Sequence, residues 1–370
     1  MPSLLPISEF REALTIIERA SKKDASSRPL TIFAQGKRWS IKTATNLLHL
    51  QYDSVSGDGD SLWCNVTPGP LLRVLAAVSG DTVALTRDDT FITCRTDRST
   101  FKVRMDLREP VPEPELMVHE TGLSVEAETL LSQLNVAMTG ASDDCMWGKR
   151  PGEDVVMLRS ASKSLWALAT DGIRCVRSRS EFDPEIEHVD ELEAAIPSVA
   201  CELLASILAS NPKFLARIKV EGQKLQVTVH GWTLTVALTA VRFPEVGGLF
   251  QVKGTRTDRV SAQSLAKIIK QARICSDIQS QAITLVFGNG HIHATAQASE
   301  IGEAKIDLEM NDDSTSVEPT TVAIAAKPML EFLGKLPPDE SVEVQSSGPE
   351  DNLLLYAGNH SMLLCPICTE

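Results

Sequence analysis

The chain lacks any long apolar run and contains little cysteine. No stretch of its 370 residues approaches the roughly 20 apolar residues of a membrane-crossing helix, so we expect no membrane span. Residues 1–6 show no basic segment leading into an apolar core, so we expect no signal peptide. We therefore predict a cytoplasmic location. Eight scattered cysteines are few for this length, and a cytoplasmic setting keeps them reduced.

The sequence also lacks the common motifs of enzymes and metal proteins. It has no glycine-rich phosphate loop, no Gly-x-Ser-x-Gly, no His-Glu-x-x-His and no paired zinc half-sites. Only Cys365 and Cys368 have ligand-like spacing, and we interpret them as two thiols at the end of a terminal strand. His291 and His293 share a strand face, and such a lone pair is more often structural, while Asp53–Asp60 lacks the final glutamate of a calcium loop. We predict no catalytic activity, no cofactor and no metal site.

Basic residues are fewer than acidic ones, 36 against 49, which gives a formal net charge of −13. This balance disfavours a protein that coats nucleic acid with its whole surface, although a cavity can carry one sign while the outside carries the other. The hydrophobic fraction of 43% and the charged fraction of 23% are those of an ordinary globular protein. A packed core is expected, and the length suggests two or three domains.

One pattern of helices and strands is present three times. Six segments space their apolar residues as amphipathic helices do. Their starts lie at about Ser8, Thr67, Ser124, Pro197, Ser261 and Lys327. Between them lie runs of alternating apolar and polar residues, of which 217–230 and 283–294 are predicted to be hairpins.

The order of helix, strands, helix and strands recurs at intervals of roughly 115–140 residues, a typical domain size. Polar stretches at 108–114 and 252–257 separate the repeats. We predict an α+β protein with three similar domains, over 1–117, 118–251 and 252–370, each with two helices packed on antiparallel sheet.

Five short sequences are distributed along the chain: Ser27–Leu30, Asp97–Phe101, Leu168–Arg174, Val241–Glu245 and Met362–Ile367. They resemble, in order, motifs of the bacterial DNA sliding clamp, the β subunit of DNA polymerase III. In particular, Leu-Ala-Thr-Asp-Gly-Ile-Arg is similar to the Ala-Thr-Asp-Gly-His-Arg signature of the family's middle domain, and Val-Arg-Phe-Pro-Glu to its Gly-(Arg/Lys)-Phe-Pro-Asp run. Each motif alone is weak, but five in register identify the chain as a divergent member.

The chain departs from the family pattern in three places. Ile173 stands where the family usually has histidine, and Gly247–Gly248 stands where an arginine usually follows the Phe-Pro-Asp run. Three residues follow Ile367, where the family usually stops after Arg-Leu.

The resemblance implies a DNA-clamp fold in which two three-domain chains form a six-domain ring as a homodimer. Such a ring encircles double-stranded DNA without reading its sequence and tethers the DNA polymerase III catalytic subunit, the clamp loader and other clamp-binding proteins. The implied function is that of a processivity factor. The alternative is a clamp-fold paralogue with a specialised role, such as a repair or resistance copy.

The implied DNA-binding residues form two groups. Arg28 and the loop residues Trp147, Lys149 and Arg150 match DNA-contacting positions of the family, and an aromatic beside two cations suits stacking with phosphate contact. The predicted helices add Arg11, Lys22, Arg73, Lys267 and Lys270. The alternatives are ordinary solvated helix charges and, for Trp147, a loop anchor. The third and fourth helices are poor in lysine and arginine.

The resemblance also implies a peptide-binding cleft between the middle and last domains. Its matching positions are Thr170, Gly172, Arg174, Cys175, Pro244, Leu249, Leu364, Cys365, Pro366 and Ile367. Core packing is the alternative for each apolar member. The two cysteines and Gly248 replace larger family residues, which predicts a reshaped groove with altered peptide preference.

For the homodimer, the resemblance implies that Phe101 and Val103 of one chain meet Ile274 and Cys275 of the other.

Overall fold

The structure is a computed structural model, and it describes residues 2–22, 29–112, 117, 122–141, 154–161, 163–181, 192–241, 243–251, 254–288, 290–310 and 318–367. The chain folds into two compact units. The first is built from residues within Met1–Leu131 and Val199–Leu238, and the second from residues within Ser132–Asp183, Glu191–Ser198 and Thr239–Glu370. The division into three domains, with its boundaries near 117 and 251, stays a prediction.

The described residues include six α-helices: α1 (Ile7–Lys22), α2 (Pro68–Ala77), α3 (Ala127–Ala137), α4 (Ser198–Ser210), α5 (Ala262–Ala272) and α6 (Ala326–Leu333). Five of them begin within one residue of the predicted start. The apolar face of α1 explains its burial, because Phe10, Leu14 and Ile17 are fully buried and lie three or four residues apart. Pro68 occupies the first turn of α2, and the Ser261 hydroxyl caps α5 by accepting the Ser264 amide at 3.2 Å.

The predicted start of the third helix is wrong by three residues. Ser124 lies in a strand, because Leu123 and Val125 alternate with polar residues and pair with Ile218 and Ala216 of a neighbouring strand. The helix begins only at Ala127.

The strands of the first unit are β1 (Ser3–Pro6), β2 (Leu30–Gln35), β3 (Arg38–Ala44), β4 (Leu48–Ser54), β5 (Leu62–Val66), β6 (Thr82–Arg87), β7 (Phe91–Arg95), β8 (Thr100–Arg104), β9 (Leu123–Glu126), β14 (Leu215–Glu221), β15 (Lys224–Val229) and β16 (Trp232–Ala237). They form an eight-stranded sheet in the order β5-β2-β3-β4-β16-β15-β14-β9 and a four-stranded sheet in the order β1-β6-β7-β8. The eight-stranded sheet joins two halves that are distant in sequence at β4 and β16, where Leu50 pairs with Leu234.

The strands of the second unit are β10 (Val155–Ala161), β11 (Ser164–Thr170), β12 (Arg174–Glu181), β13 (Glu193–Pro197), β17 (Arg256–Ser261), β18 (Ala282–Gly288), β19 (His291–Ala298), β20 (Gly302–Glu309), β21 (Thr320–Ala325), β22 (Ser341–Ser346), β23 (Leu353–Ala357) and β24 (His360–Leu364). Their sheets repeat the arrangement of the first unit, in the orders β13-β10-β11-β12-β24-β23-β22-β17 and β20-β19-β18-β21. Here β12 and β24 join the halves, with Val176 opposite Met362. All of these pairs are antiparallel, which confirms the predicted α+β class and both predicted hairpins.

Each unit has its own core under its helices. In the first, Phe10 of α1 meets Trp39 edge to face at 5.5 Å between ring centroids, and Tyr52 links Trp39 to Trp232. In the second, α5 and α6 bury Leu265, Ile269 and Phe332 against both sheets. Among the described residues, no helix has the length and apolarity needed to cross a membrane. The same residues contain no group of three or more metal-ligating side chains.

Candidate functional site

The turn between β11 and β12 is held by its own side chains. The Thr170 hydroxyl donates to the Arg174 carbonyl at 2.6 Å and accepts the Gly172 amide at 3.2 Å. Asp171 Oδ1 accepts the amides of Ile173 and Arg174 at 3.0 and 2.9 Å. Gly172 has a φ of +85°, a left-handed conformation that glycine adopts without steric cost. The Thr-Asp-Gly sequence therefore specifies a tight turn with an exposed glycine.

Arg174 is 5% exposed, and two carboxylates neutralise its charge. Its Nε donates to Asp171 Oδ2 at 2.9 Å, and its Nη1 donates to Glu331 Oε2 on α6. A buried guanidinium requires such partners because an unpaired buried charge is strongly unfavourable. Arg174 thus links the turn to α6 through these two ion pairs. The contact of Arg174 with a partner peptide stays a prediction.

A small apolar cluster fastens the loop 243–250 to the sheet of the second unit. Its buried members are Cys175, Val246, Phe250, Leu354 and Leu363. The Tyr356 hydroxyl donates to the Phe250 carbonyl at 3.0 Å, which fixes the end of the loop. Burial raises the pKa of the Cys175 thiol to about 12, so this cysteine stays protonated at neutral pH. Cys175 is therefore a core residue rather than an exposed wall of a cleft.

The remaining predicted cleft residues differ in exposure. Leu364 is fully buried, Leu249 is 44% exposed, and the residues Cys365–Ile367 are half-buried. The Cys365 amide donates to the Ile173 carbonyl at 2.8 Å, which places the segment that follows β24 beside the turn. Leu249 and Cys365–Ile367 are thus accessible to a ligand, and Cys368 lies outside the described residues.

A pocket of about 230 Å³ lies where the loop 243–250 crosses the strands β10 to β13. We call it the Arg177 pocket. Its lining consists of Met157, Arg159, Ala161, Trp166, Leu168, Arg177, Glu193, Phe243, Pro244, Glu245, Val246, Gly247 and Phe250. Of the predicted cleft residues, Pro244 alone is in this lining, so the pocket extends the predicted site along the face of the sheet.

Arg177 is the functional candidate that the sequence analysis missed. Its guanidinium carbon lies 4.0 Å from the ring centroid of Phe250 and 5.5 Å from that of Trp166. Burial lowers the pKa of Arg177 below the ordinary value of an arginine. One signal was available: Arg177 and Arg179 alternate along a strand that directly follows the Thr-Asp-Gly turn, so both lie on one face.

The predicted DNA-binding residues are only partly described. Arg11 on α1, Arg73 on α2, and Lys267 and Lys270 on α5 are all exposed. Lys22 is the last residue of α1. The remaining four, Arg28, Trp147, Lys149 and Arg150, lie outside the described residues. Arg11, Arg73, Lys267 and Lys270 are therefore available to a ligand, but none of them is shown to bind one.

The predicted interface residues lie at the margins of the four-stranded sheets. Phe101 is half-buried and Val103 is buried on the edge strand β8, and both line a groove beside α2 in the first unit. Ile274 is 71% exposed and Cys275 is half-buried in the 3-10 turn Arg273–Cys275 that follows α5. That these residues meet in a homodimer stays a prediction.

Comparison with known proteins gives one consistent result. No protein-family model matches the chain. The crystal structure of DNA polymerase III subunit beta from Pseudomonas aeruginosa superposes with a TM-score of 0.87 at 16% identity, and the match covers all of both chains. The beta subunit from Thermotoga maritima gives 0.87 at 12% identity, and the sliding clamp from Bacillus subtilis 0.86 at 14%, again over both whole chains.

The chain has the sliding-clamp fold. A curated Beta sliding clamp from Chlamydia trachomatis is 22% identical over 165 residues, which are 44% of this chain and 38% of that protein. The matched part thus spans well under half of the relative's length. The clamp fold that the sequence resemblance implied is confirmed.

On this clamp fold, the departure at Gly247–Gly248 has a clear structural setting. A Cβ atom added at either glycine meets no atom within 4 Å, so neither position is a glycine for reasons of space. Gly247 lines the Arg177 pocket, so a side chain added at this position would border the pocket.

Proposed function

We propose that this chain is the subunit of a DNA sliding clamp: a homodimeric ring that encircles duplex DNA and tethers a polymerase and other proteins to it, with no catalytic activity of its own. The observation that carries the proposal is the full-length superposition on proteins described as DNA polymerase III beta subunits and sliding clamps. A closed ring holds DNA by topology, so an acidic protein needs only a local basic lining.

The charge of the helices supports such a lining. On α5, Lys267 and Lys270 are exposed while Leu265, Ile268 and Ile269 are buried, so the basic face points away from the core. By contrast, α3 and α4 contain no lysine or arginine. We infer that α1, α2 and α5 supply most of the helical contacts to phosphates, through Arg11, Arg73 and the two lysines.

Two edge strands are suited to close the ring. Within the described residues, β8 and β20 each pair with a neighbour on one side only. Unpaired edges are usually covered, because their free amides and carbonyls promote association. We infer that β8 of one protomer lies against β20 of the other and continues the sheet.

The side chains of these strands match in two ways. On β8, Phe101 and Val103 turn inward, while Lys102 and Arg104 are exposed. On β20, Ile306 and Leu308 pack on the core, while the exposed charged residues are Glu303, Lys305, Asp307 and Glu309. Pairing the two strands would place apolar residues together on one face and a basic row against a mainly acidic row on the other. Ile274 would then meet the groove beside α2.

Light scattering during size-exclusion chromatography tests the ring. At low micromolar concentration we expect a mass of twice the 40.2 kDa of one chain. A stable monomer under these conditions would contradict the proposal.

A further inference from the structure

Among the residues that the structure describes, none is a charged partner for the Arg177 side chain. Its Nε is buried without a hydrogen-bond acceptor, and no ion pair joins it to any residue of the described part of the chain. A buried donor without an acceptor is energetically unfavourable and rare in folded proteins, and it often marks a functional site. Burial also lowers the pKa of this arginine below its ordinary value.

Stacking rather than hydrogen bonding holds the guanidinium in place. It packs over the Phe250 ring, which the buried cluster and the Tyr356 bond fix, and it faces Trp166 from the sheet. Stacking covers the faces of the guanidinium and Nε is buried, so a ligand would have to approach the part of the edge that carries the Nη1 and Nη2 donors. The arginine is therefore preorganised to bind an acceptor from outside the chain.

The other charges around the pocket are already matched. Arg159 lies 3.6 Å from both Glu193 and Glu245, and these two carboxylates therefore belong to the Arg159 end of the pocket. Arg179 donates to Ser164 at 2.9 Å and to Glu181 at 3.0 Å. Arg177 is thus the one pocket cation without a carboxylate among the described residues.

We propose that the Arg177 pocket binds the carboxylate of an aspartate or glutamate in a partner peptide, and that Arg177 selects for an acidic residue at that position. The inference rests on the proposed function, which supplies a peptide-bearing partner. A planar guanidinium matches a carboxylate in two parallel hydrogen bonds. Met157, Phe243 and Pro244 give the same pocket apolar walls for the neighbouring side chain of the peptide.

A peptide fits this pocket better than a nucleic acid does. The volume suits one or two side chains, and the carboxylates of Glu193 and Glu245 at its margin would repel a polyanion. A single acidic side chain flanked by apolar residues meets less of that repulsion, because it carries one negative charge and not a row of them.

The test is a selection of short, fully randomised displayed peptides on the full-length chain, on Arg177→Met and on Arg179→Met. The second variant is the matched control, since Arg179 lies two residues away on the same face, contacts the same tryptophan and has its own partners. We expect acidic residues to be enriched at one position on the wild type and on Arg179→Met, and not on Arg177→Met. Equal acidic enrichment on Arg177→Met, or no selected peptide on the wild type, would overturn the inference.

A second measurement does not depend on the folding of any variant. A selected peptide and its Asp→Asn or Glu→Gln form are titrated into the wild-type chain, and we expect the acidic form to bind about tenfold more tightly. Equal affinities, or displacement of the peptide by a short single-stranded oligonucleotide, would refute acidic peptide recognition.

The two proposals fail in different assays. A chain that is retained on circular DNA but shows no acidic preference refutes the role of Arg177 alone. A chain that prefers acidic peptides but is not retained on DNA refutes the clamp function and leaves the pocket assignment standing.

Discussion

The Nε of Arg174 donates to Asp171 Oδ2 at 2.9 Å, and this ion pair is more than nine-tenths buried on both sides. The same aspartate holds two backbone amides of the turn, and the same arginine reaches Glu331 on α6. The pair therefore connects a surface turn to the helical layer of the second unit.

Replacing Arg174 tests this role. Arg174→Met leaves Asp171 buried without its cationic partner, so we expect the free energy of unfolding in urea to fall by about 3 kcal/mol. Arg179→Met is the control, because its pair with Glu181 is exposed and should contribute no more than about 1 kcal/mol. Similar, small losses for both variants would show that the Arg174 pair is not a structural fastening.

Glu9 in α1 should contribute to the free energy of unfolding in a pH-dependent way. Burial works to raise the pKa of Glu9, but hydrogen bonds from Ser54, Ser56 and Tyr52 outweigh it, and the pKa is lowered. A carboxylate whose pKa is lower in the folded state stabilises the protein above its unfolded pKa of about 4.3 and loses that effect as pH falls through the folded value.

We therefore expect Glu9→Gln to be less stable than the wild type at pH 7 and the difference to shrink as the pH is lowered below about 4. Urea unfolding of both proteins across this range measures it. A difference that stays constant with pH would show that the charge of Glu9 is not the source of its effect.

Gly248 and Gly140 should respond in opposite ways to an added side chain, because the space around them differs. Gly248 has no neighbour within 4 Å of an added Cβ, whereas at Gly140 that atom would lie 2.5 Å from the Ala169 carbonyl oxygen. Gly248→Arg should change the free energy of unfolding by no more than about 0.5 kcal/mol, while Gly140→Ala should destabilise by about 1–3 kcal/mol through overpacking. Strong destabilisation by Gly248→Arg would show that the loop has no room for the residue usual in the family.

The charges on β8 and β20 predict a reversible disruption of the dimer. Lys102→Glu with Arg104→Glu would face the acidic row of β20 with like charge, so we expect the double variant to elute as a monomer by light scattering. Adding Glu303→Lys and Asp307→Lys to the same chain should restore the dimer. Dimerisation of the double variant at wild-type strength would exclude this strand pairing.

The sequence predicted the fold well because its signals are local. Helix starts followed from capping residues and apolar spacing, as at Thr67–Pro68 and Ser261, and the Thr-Asp-Gly turn was evident from its side chains. The predicted start of α3 was wrong because the segment before it is apolar enough to form a helix or a strand. It forms a strand because it pairs with β14.

The site was less predictable because it depends on contacts distant in sequence. Arg177 becomes a pocket residue only when the loop ending at Phe250 folds over β12, and no local pattern shows that contact. Likewise, Cys175 and Leu364 match cleft positions in sequence, but neighbouring strands bury both.

Retention on circular DNA is the direct test of the proposed ring. The chain is loaded by a bacterial clamp loader onto nicked circular DNA, the complex is separated from free protein, and the DNA is then cut once with a restriction enzyme. A topological ring stays on the circle at a salt concentration that disrupts ordinary phosphate contacts, and it leaves once the DNA has ends. We therefore expect the protein to be released when the DNA is linearised, as the proposed ring requires. Equal retention on circular and linear DNA, or no retention on either, would contradict it.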